Sequence, residues 1–170
     1  MKTVNGDLIQ LAVKGHFDII IHGCNCFCTM GAGIARTISL EFPEAMAADA
    51  ATVAGDRQKL GNYSHATVSR NSHTITIING YTQYSYAGKA PLADYEAIQT
   101  LFFRLKKKFS GKRFGYPKIG AGLAGGDWDK ISSIIDQELA GEEHTLVIFD
   151  PRSKGRQRQS GNTNPNKSEF

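Results

Sequence analysis

Residues 29–35 read Thr-Met-Gly-Ala-Gly-Ile-Ala, and residues 117–126 read Pro-Lys-Ile-Gly-Ala-Gly-Leu-Ala-Gly-Gly. Each glycine-rich turn follows a run that is typical of a β-strand, and the first turn opens an apolar helix. Turns with so few side-chain atoms allow backbone N–H groups to close on an anion. Two such turns brought together would clamp a pyrophosphate.

Strand and helix patterns alternate along the chain on both sides of these turns. The predicted strands are Lys2–Val4, Asp18–His22, Tyr63–Ser69, Thr74–Gly80, Arg113–Ile119 and Thr145–Phe149. The predicted helices are Gly31–Phe42, a second one from Pro43 to Val53, Leu92–Phe109 and Trp128–Leu139. Polar and apolar residues alternate in the third and fourth of these strands, Tyr63–Ser69 and Thr74–Gly80, which predicts a β-hairpin. This order predicts a three-layer α/β/α domain with a mixed central sheet.

Composition limits the class of protein. The chain has 170 residues, of which 41% are hydrophobic and 21% charged, as expected for one globular domain. No apolar run approaches the roughly 18 residues that a membrane span needs, and the N-terminus lacks the apolar core of a signal peptide. We therefore expect a cytoplasmic protein without a membrane partner.

The net charge of +4 comes entirely from the end of the chain. Residues 152–170 contain five basic residues and one acidic residue and have no aliphatic side chain. This composition predicts a disordered, solubilising tail, with a weak anionic contact as the alternative. The neutral body, residues 1–151, is an unfavourable surface for nucleic acid.

Residues 21–35 and 117–125, together with Asn-Gly-Asp-Leu at positions 5–8, resemble the macro domain family. The resemblance extends over about residues 1–150 and is strongest to the branch that processes ADP-ribose-1″-phosphate as a phosphatase. It implies a pocket for ADP-ribose at the carboxyl ends of the strands, where open α/β sheets hold ligands. It implies no cofactor and no metal.

The resemblance also implies a role for each residue of that pocket. Asp7 would accept the adenine amino group beside Leu8, and Phe149 would flank the adenine. Asn25 would bind the distal ribose. The first diphosphate loop would comprise Gly31, Ala32, Gly33 and Ile34, and the second would comprise Gly120, Ala121, Gly122, Leu123 and Ala124.

The resemblance suggests His22 and Asn25 as catalytic residues. Asp127 is a third candidate, because a side chain at the mouth of the second phosphate loop could reach a water beside the distal phosphate. A histidine that titrates near neutrality could transfer a proton while water attacks the terminal phosphate. An ordinary alternative exists for two of these residues. His22 lies on an apolar strand and could be a satisfied core histidine, and Asp127 could simply cap the helix that begins at Trp128.

The chain departs from the family's other hydrolases at three positions. An aspartate after the first loop is replaced by Ala35, and a lysine–aspartate pair is replaced by Gln83 and Ala124. These departures favour hydrolysis of ADP-ribose-1″-phosphate. The alternatives are removal of ADP-ribose from modified macromolecules and a reader that binds ADP-ribose without turnover.

Two further clusters have no assigned role. Cys24, Cys26 and Cys28 alternate within five residues, a spacing that favours reduced, buried thiols over a zinc site because no second pair follows. Tyr81, Tyr84 and Tyr86 flank Gly88 in a loop on the expected distal-ribose side, as a lid or as an aromatic hairpin end.

Overall fold

The structure is a computed structural model that describes residues 1–152. Its strands are β1 (Lys2–Gly6), β2 (Ile19–Cys24), β3 (Tyr63–Arg70), β4 (His73–Tyr81), β5 (Arg113–Tyr116) and β6 (Glu143–Phe149). Its α-helices are α1 (Leu8–Val13), α2 (Gly33–Glu41), α3 (Pro43–Ala50), α4 (Tyr95–Phe109) and α5 (Trp128–Glu138). A short 3₁₀ helix, Arg57–Lys59, follows α3. The predicted tail lies outside the described residues except for Arg152.

The six strands form one sheet in the order β1-β6-β5-β2-β4-β3. All neighbours run parallel except β3, which pairs with β4 as an antiparallel hairpin. Two hydrophobic clusters cover the two faces of this sheet. One includes side chains of α4 and α5, and the other includes side chains of α1, α2 and α3. The predicted mixed-sheet α/β/α architecture is therefore confirmed.

Several boundaries differ from the predicted ones, and the differences affect the site. Strand β2 continues to Cys24, two residues beyond the predicted end. Helix α4 begins at Tyr95 because the Asp94 carboxylate accepts a hydrogen bond from the Ala97 N–H and caps it. Strand β5 ends at Tyr116, immediately before Pro117, which has no N–H to continue a ladder.

The parallel strands place their carboxyl ends at one edge of the sheet. In register, Gly6 at the end of β1 lies opposite Phe149 at the end of β6. The segments that follow β1, β2, β4, β5 and β6 therefore meet at this edge. Within the described range, no helix has both the length and the apolar character that a membrane crossing requires.

Candidate functional site

A cavity of about 980 Å³ opens at the carboxyl edge of the sheet. Its wall contains nearly all the residues predicted to hold the ligand, which lie far apart in the chain: Asp7, Leu8, Asn25, Gly31, Ala32, Gly33, Ile34, Gly120, Gly122, Leu123, Ala124 and Phe149. The two glycine-rich turns thus face one space. Ala121 does not line the cavity.

The start of helix α2 forms part of the cavity wall and, like that of α3, has no side-chain cap. Aspartate side chains cap α1, α4 and α5, whereas α2 begins after Ala32 with no side-chain cap. The amide hydrogens of Gly33, Ile34 and Ala35 have no hydrogen-bond partner among the described residues. An uncapped helix start carries partial positive charge and is a favourable place for an anion.

The second glycine-rich turn faces this helix start with further unpaired donors. No atom of residues 1–152 accepts a hydrogen bond from the amide of Gly122, Leu123 or Ala124. A Cβ atom built on Gly122 would have no other atom within 4 Å, so the space beside this glycine is open. Leu123 is 79% exposed at the rim. The two turns together offer backbone donors and one apolar side chain to a ligand.

One part of the cavity, here termed the slot, is lined by Asp7 and Leu8, which follow β1, and by Phe149 at the end of β6. Asp7 is buried there, and its Oδ1 atom accepts hydrogen bonds from the amides of Ile9 at 3.0 Å and Gln10 at 3.1 Å. Phe149, 57% exposed, stands opposite the end of β1. A carboxylate beside an exposed aromatic ring suits a flat ring that carries a hydrogen-bond donor.

Asn25 lies on the other side of the cavity, in the loop that follows β2. Its amide nitrogen donates to the carbonyl oxygen and the hydroxyl of Thr29, at 3.0 and 2.8 Å. Its Oδ1 atom accepts a hydrogen bond of 2.8 Å from the Phe27 amide. Asn25 therefore shapes this loop as well as lining the cavity, a role that its sequence position did not reveal.

His22 does not reach the cavity, and its predicted contact with substrate is corrected by the structure. The ring is fully buried, and Nε2 lies 2.8 Å from Oδ1 of Asn79 on the neighbouring strand. Asn79 donates in turn to the carbonyl of Ala45 in α3, so the pair lies between sheet and helix. Because β2 continues beyond His22, the histidine sits inside a strand and not at its end.

The surroundings of His22 also oppose proton transfer near neutral pH. Burial lowers its pKa from 6.5 to about 4, although the hydrogen bond to Asn79 and the charge of Asp49 act in the opposite direction. The imidazole is therefore neutral at pH 7. Both its position and its pKa make His22 a core residue, the ordinary alternative that the sequence left open.

Asp127 likewise lies outside the cavity wall, at the start of α5. It is exposed, and its Oδ1 atom accepts hydrogen bonds from the amides of Asp129 and Lys130 at 2.9 and 3.3 Å. This is the helix cap that was the alternative explanation for its position. Asp127 is therefore placed to cap α5 and does not line the cavity.

The cysteine cluster is a packing feature. Cys24 and Cys26 are buried with Tyr81, and burial raises the pKa of both thiols. Cys28 is half-buried, and its sulfur lies 3.2 Å from the Asp49 carbonyl and 3.3 Å from the Lys59 ammonium. Within residues 1–152 no three metal-ligating side chains are grouped to hold an ion.

Charged side chains are scarce on the cavity wall. Within the described part of the chain, only Asp7 and Lys118 contribute a formal charge to it. The three positions where other hydrolases of the resembled family have reactive groups, Ala35, Gln83 and Ala124, all line the cavity and bring neither a carboxylate nor an amine. The wall is built for binding through backbone amides and apolar contacts.

Comparison with solved structures identifies this arrangement as a macrodomain. A macrodomain protein from Streptomyces coelicolor is 27% identical and superimposes with a TM-score of 0.67, over 88% of this chain and 99% of that one. A Thermosipho africanus DarTG structure in complex with ADP-ribose matches with a TM-score of 0.68 and 14% identity, over 89% of this chain and 42% of that one. The chain therefore has the macrodomain fold.

A relative from a bacterial virus is closer in sequence. An uncharacterized 17.5 kDa protein from the tk-vs intergenic region of Enterobacteria phage T4 is 34% identical over 156 residues. The match spans 89% of this chain and 97% of the phage protein, so the two belong to one family. No protein-family model matches the chain.

Proposed function

We propose that this chain binds ADP-ribose in the cavity at the carboxyl edge of its sheet. The observation that carries the proposal is the pairing of two sets of unpaired backbone amides, at the start of α2 and in residues 122–124, across one space. A diphosphate between them would satisfy donors that otherwise lack partners. A structural neighbour that was solved in complex with ADP-ribose supports the same ligand.

The ends of the cavity fit the two ends of this ligand. Adenine would occupy the slot of Asp7, Leu8 and Phe149, and the distal ribose would lie beside Asn25. Isothermal titration with ADP-ribose is expected to give micromolar affinity, about −8 kcal/mol. Absence of binding at millimolar ADP-ribose would refute the proposal. An ADP-ribosylated macromolecule would be a partner through its ADP-ribose group, which the same cavity would bind.

Replacing Asp7 with asparagine is expected to change which base the slot prefers. A carboxylate accepts a hydrogen bond from the adenine amine, whereas an asparagine can keep capping α1 through its oxygen and present an N–H donor to the carbonyl of hypoxanthine. The preference of the parent for ADP-ribose over its hypoxanthine analogue should fall about tenfold, the value of one hydrogen bond. Titration of both ligands measures it.

The matched control for this variant is Asp94→Asn. Asp94 caps α4 through the same kind of carboxylate–amide bond and does not line the cavity. It should leave the base preference at the parental value. An equal preference in Asp7→Asn and the parent would show that another group reads the base.

The second candidate function is hydrolysis of ADP-ribose-1″-phosphate to ADP-ribose and phosphate. The lack of reactive groups at Ala35, Gln83 and Ala124 disfavours release of ADP-ribose from macromolecules by the pairs used elsewhere in the family. With His22 buried, the remaining contribution to phosphate release is positioning of the terminal phosphate and a water by Asn25 and backbone amides.

Such a reaction has a distinctive pH dependence. Because the pKa of His22 is about 4 and its ring lies outside the cavity, His22 should add no inflection to phosphate release between about pH 6 and 8, and any inflection near pH 6 is expected from the substrate's own phosphate, whose second pKa is about 6. The initial rate of phosphate release at saturating substrate measures this. An inflection that is present in the parent and lost in His22→Asn would restore a titrating histidine to the mechanism, and binding without any phosphate release would leave a reader of ADP-ribose.

A further inference from the structure

Three aromatic rings stand together at the Asn25 end of the cavity. The Phe27 ring meets the rings of Tyr84 and Tyr86 edge-on, with centroid distances of 5.0 and 6.0 Å. Tyr86 lines the cavity and is 60% exposed. A large aromatic side chain that is exposed at a cavity rim leaves one ring surface available to a ligand.

Tyr84 and Phe27 form a fixed support for this exposed ring. The Tyr84 hydroxyl donates to the Gly55 carbonyl at 3.0 Å, and the Arg57 guanidinium lies 3.8 Å from the centre of the Tyr84 ring. The backbone carbonyl of Tyr84 accepts a hydrogen bond of 2.9 Å from the Cys26 amide. The loop that carries Tyr86 is thereby tied to the segment after β2.

The aromatic cluster is connected directly to the predicted ribose contact. Oδ1 of Asn25 accepts the amide hydrogen of Phe27, whose ring supports Tyr86. With adenine at Phe149 and the diphosphate between the glycine-rich turns, the distal ribose reaches Asn25. A group bonded to its C1″ atom would then continue toward Tyr86, which lines the same cavity.

We propose that Tyr86 forms a stacking subsite for a planar nitrogen heterocycle joined to C1″ of the distal ribose. This inference rests on the ADP-ribose binding proposed above. An exposed phenol ring offers a flat π surface, which favours another ring, whereas a phosphate or a flexible aliphatic chain would gain little from it. Nicotinamide in a free dinucleotide and a base in nucleic acid share this chemistry.

Titration of the full chain with ADP-ribose and with nicotinamide adenine dinucleotide (NAD⁺) tests the subsite. Tyr86→Ala is expected to weaken binding of NAD⁺ about tenfold while ADP-ribose, which ends in a hydroxyl at C1″, changes less than about twofold. Tyr86→Phe should retain the parental affinity for both, because the ring and not its hydroxyl is used. Phe103→Ala, which removes a ring that is 57% exposed on α4 outside the cavity, should change neither.

A second arm identifies the source of the heterocycle. An oligodeoxynucleotide that carries ADP-ribose on one base is titrated against the same variants. Dependence on Tyr86 for this oligonucleotide but not for NAD⁺ would assign the subsite to nucleobases, and dependence for NAD⁺ alone would assign it to a free dinucleotide. Equal affinities of Tyr86→Ala and parent for both probes would overturn the subsite while parental binding of ADP-ribose stands. If the parent fails to bind ADP-ribose, the proposed function itself fails.

Discussion

Gly122→Val is expected to lower the affinity for ADP-ribose at least about 100-fold, or roughly 3 kcal/mol. The branched side chain would occupy the open space between the two glycine-rich turns, where the diphosphate must approach the backbone. The substitution should not disturb folding, since a Cβ atom at this position meets no other atom within 4 Å and the backbone is not left-handed. Titration together with a thermal melt separates the two effects.

The control is Ala140→Val, which adds a valine at an exposed turn after α5, away from the cavity wall. It should bind ADP-ribose like the parent. Gly33 is a poorer test position because its φ of +55° would strain any branched residue regardless of the ligand.

Gly31→Val probes the opposite turn under equally favourable conditions, because Gly31 also lines the cavity and has open space around its Cα. Loss of affinity in both variants, with parental melting temperatures, would support a clamp made by two turns. Parental affinity in both would contradict the placement of the diphosphate. Loss in only one would assign the contact to that turn.

The cavity could be anticipated from sequence because its walls depend on backbone conformation. Glycine at positions 31, 33, 120 and 122 leaves the main chain uncovered, and parallel strands bring the segments after them to one edge. Asp7 and Phe149 follow from the same topology, since β1 and β6 are neighbours whose ends are in register. The positions of these residues at the cavity follow from the order of the strands and helices alone, so small errors in the predicted boundaries do not alter them.

The orientation of His22 could not be derived in this way. A strand with one solvated face alternates apolar and polar residues, but Ile19, Ile20 and Ile21 are all buried, so β2 has no alternation that distinguishes its faces. Because the predicted strand ended two residues too early, His22 was expected at the end of the strand, whereas it lies inside β2. Its partner Asn79 is 57 residues away in sequence and becomes visible only through strand pairing.

Asp127 and Tyr86 show a second reason why sequence patterns could not predict the whole site. An aspartate before a helix satisfies the same pattern whether it caps the helix, as Asp127 does, or also reaches a ligand, as Asp7 is placed to do. The sequence placed Tyr86 on the distal-ribose side, but its packing against Phe27, which also meets Tyr84, became visible only in the structure. Both distinctions depend on tertiary contacts that neither spacing nor composition encodes.

Protonation of His22 is expected to cost the fold roughly 3 kcal/mol of its free energy of unfolding as the pH falls from about 7.5 to 4. Burial holds the pKa of the folded state at about 4, whereas the unfolded chain has the ordinary value of 6.5. Between these values the unfolded state binds a proton that the folded state does not, so stability decreases as the pH falls. Above about pH 7.5 the histidine is neutral in both states and adds no pH dependence to the free energy of unfolding. Urea unfolding at several pH values measures how steeply the free energy of unfolding changes with pH.

His22→Asn isolates this group, because asparagine keeps a hydrogen-bonding side chain beside Asn79 and does not titrate in this range. The variant should be less stable at pH 7.5 but lose less stability on acidification. Burial also lowers the pKa of His144, so part of the parental slope should remain in the variant. His16→Asn, at an exposed position, should reproduce the parental slope. A parental slope in His22→Asn would contradict the neutral buried histidine. Parental ADP-ribose affinity in the folded variant at pH 7.5 would in turn separate the role of His22 in the core from any role in the cavity.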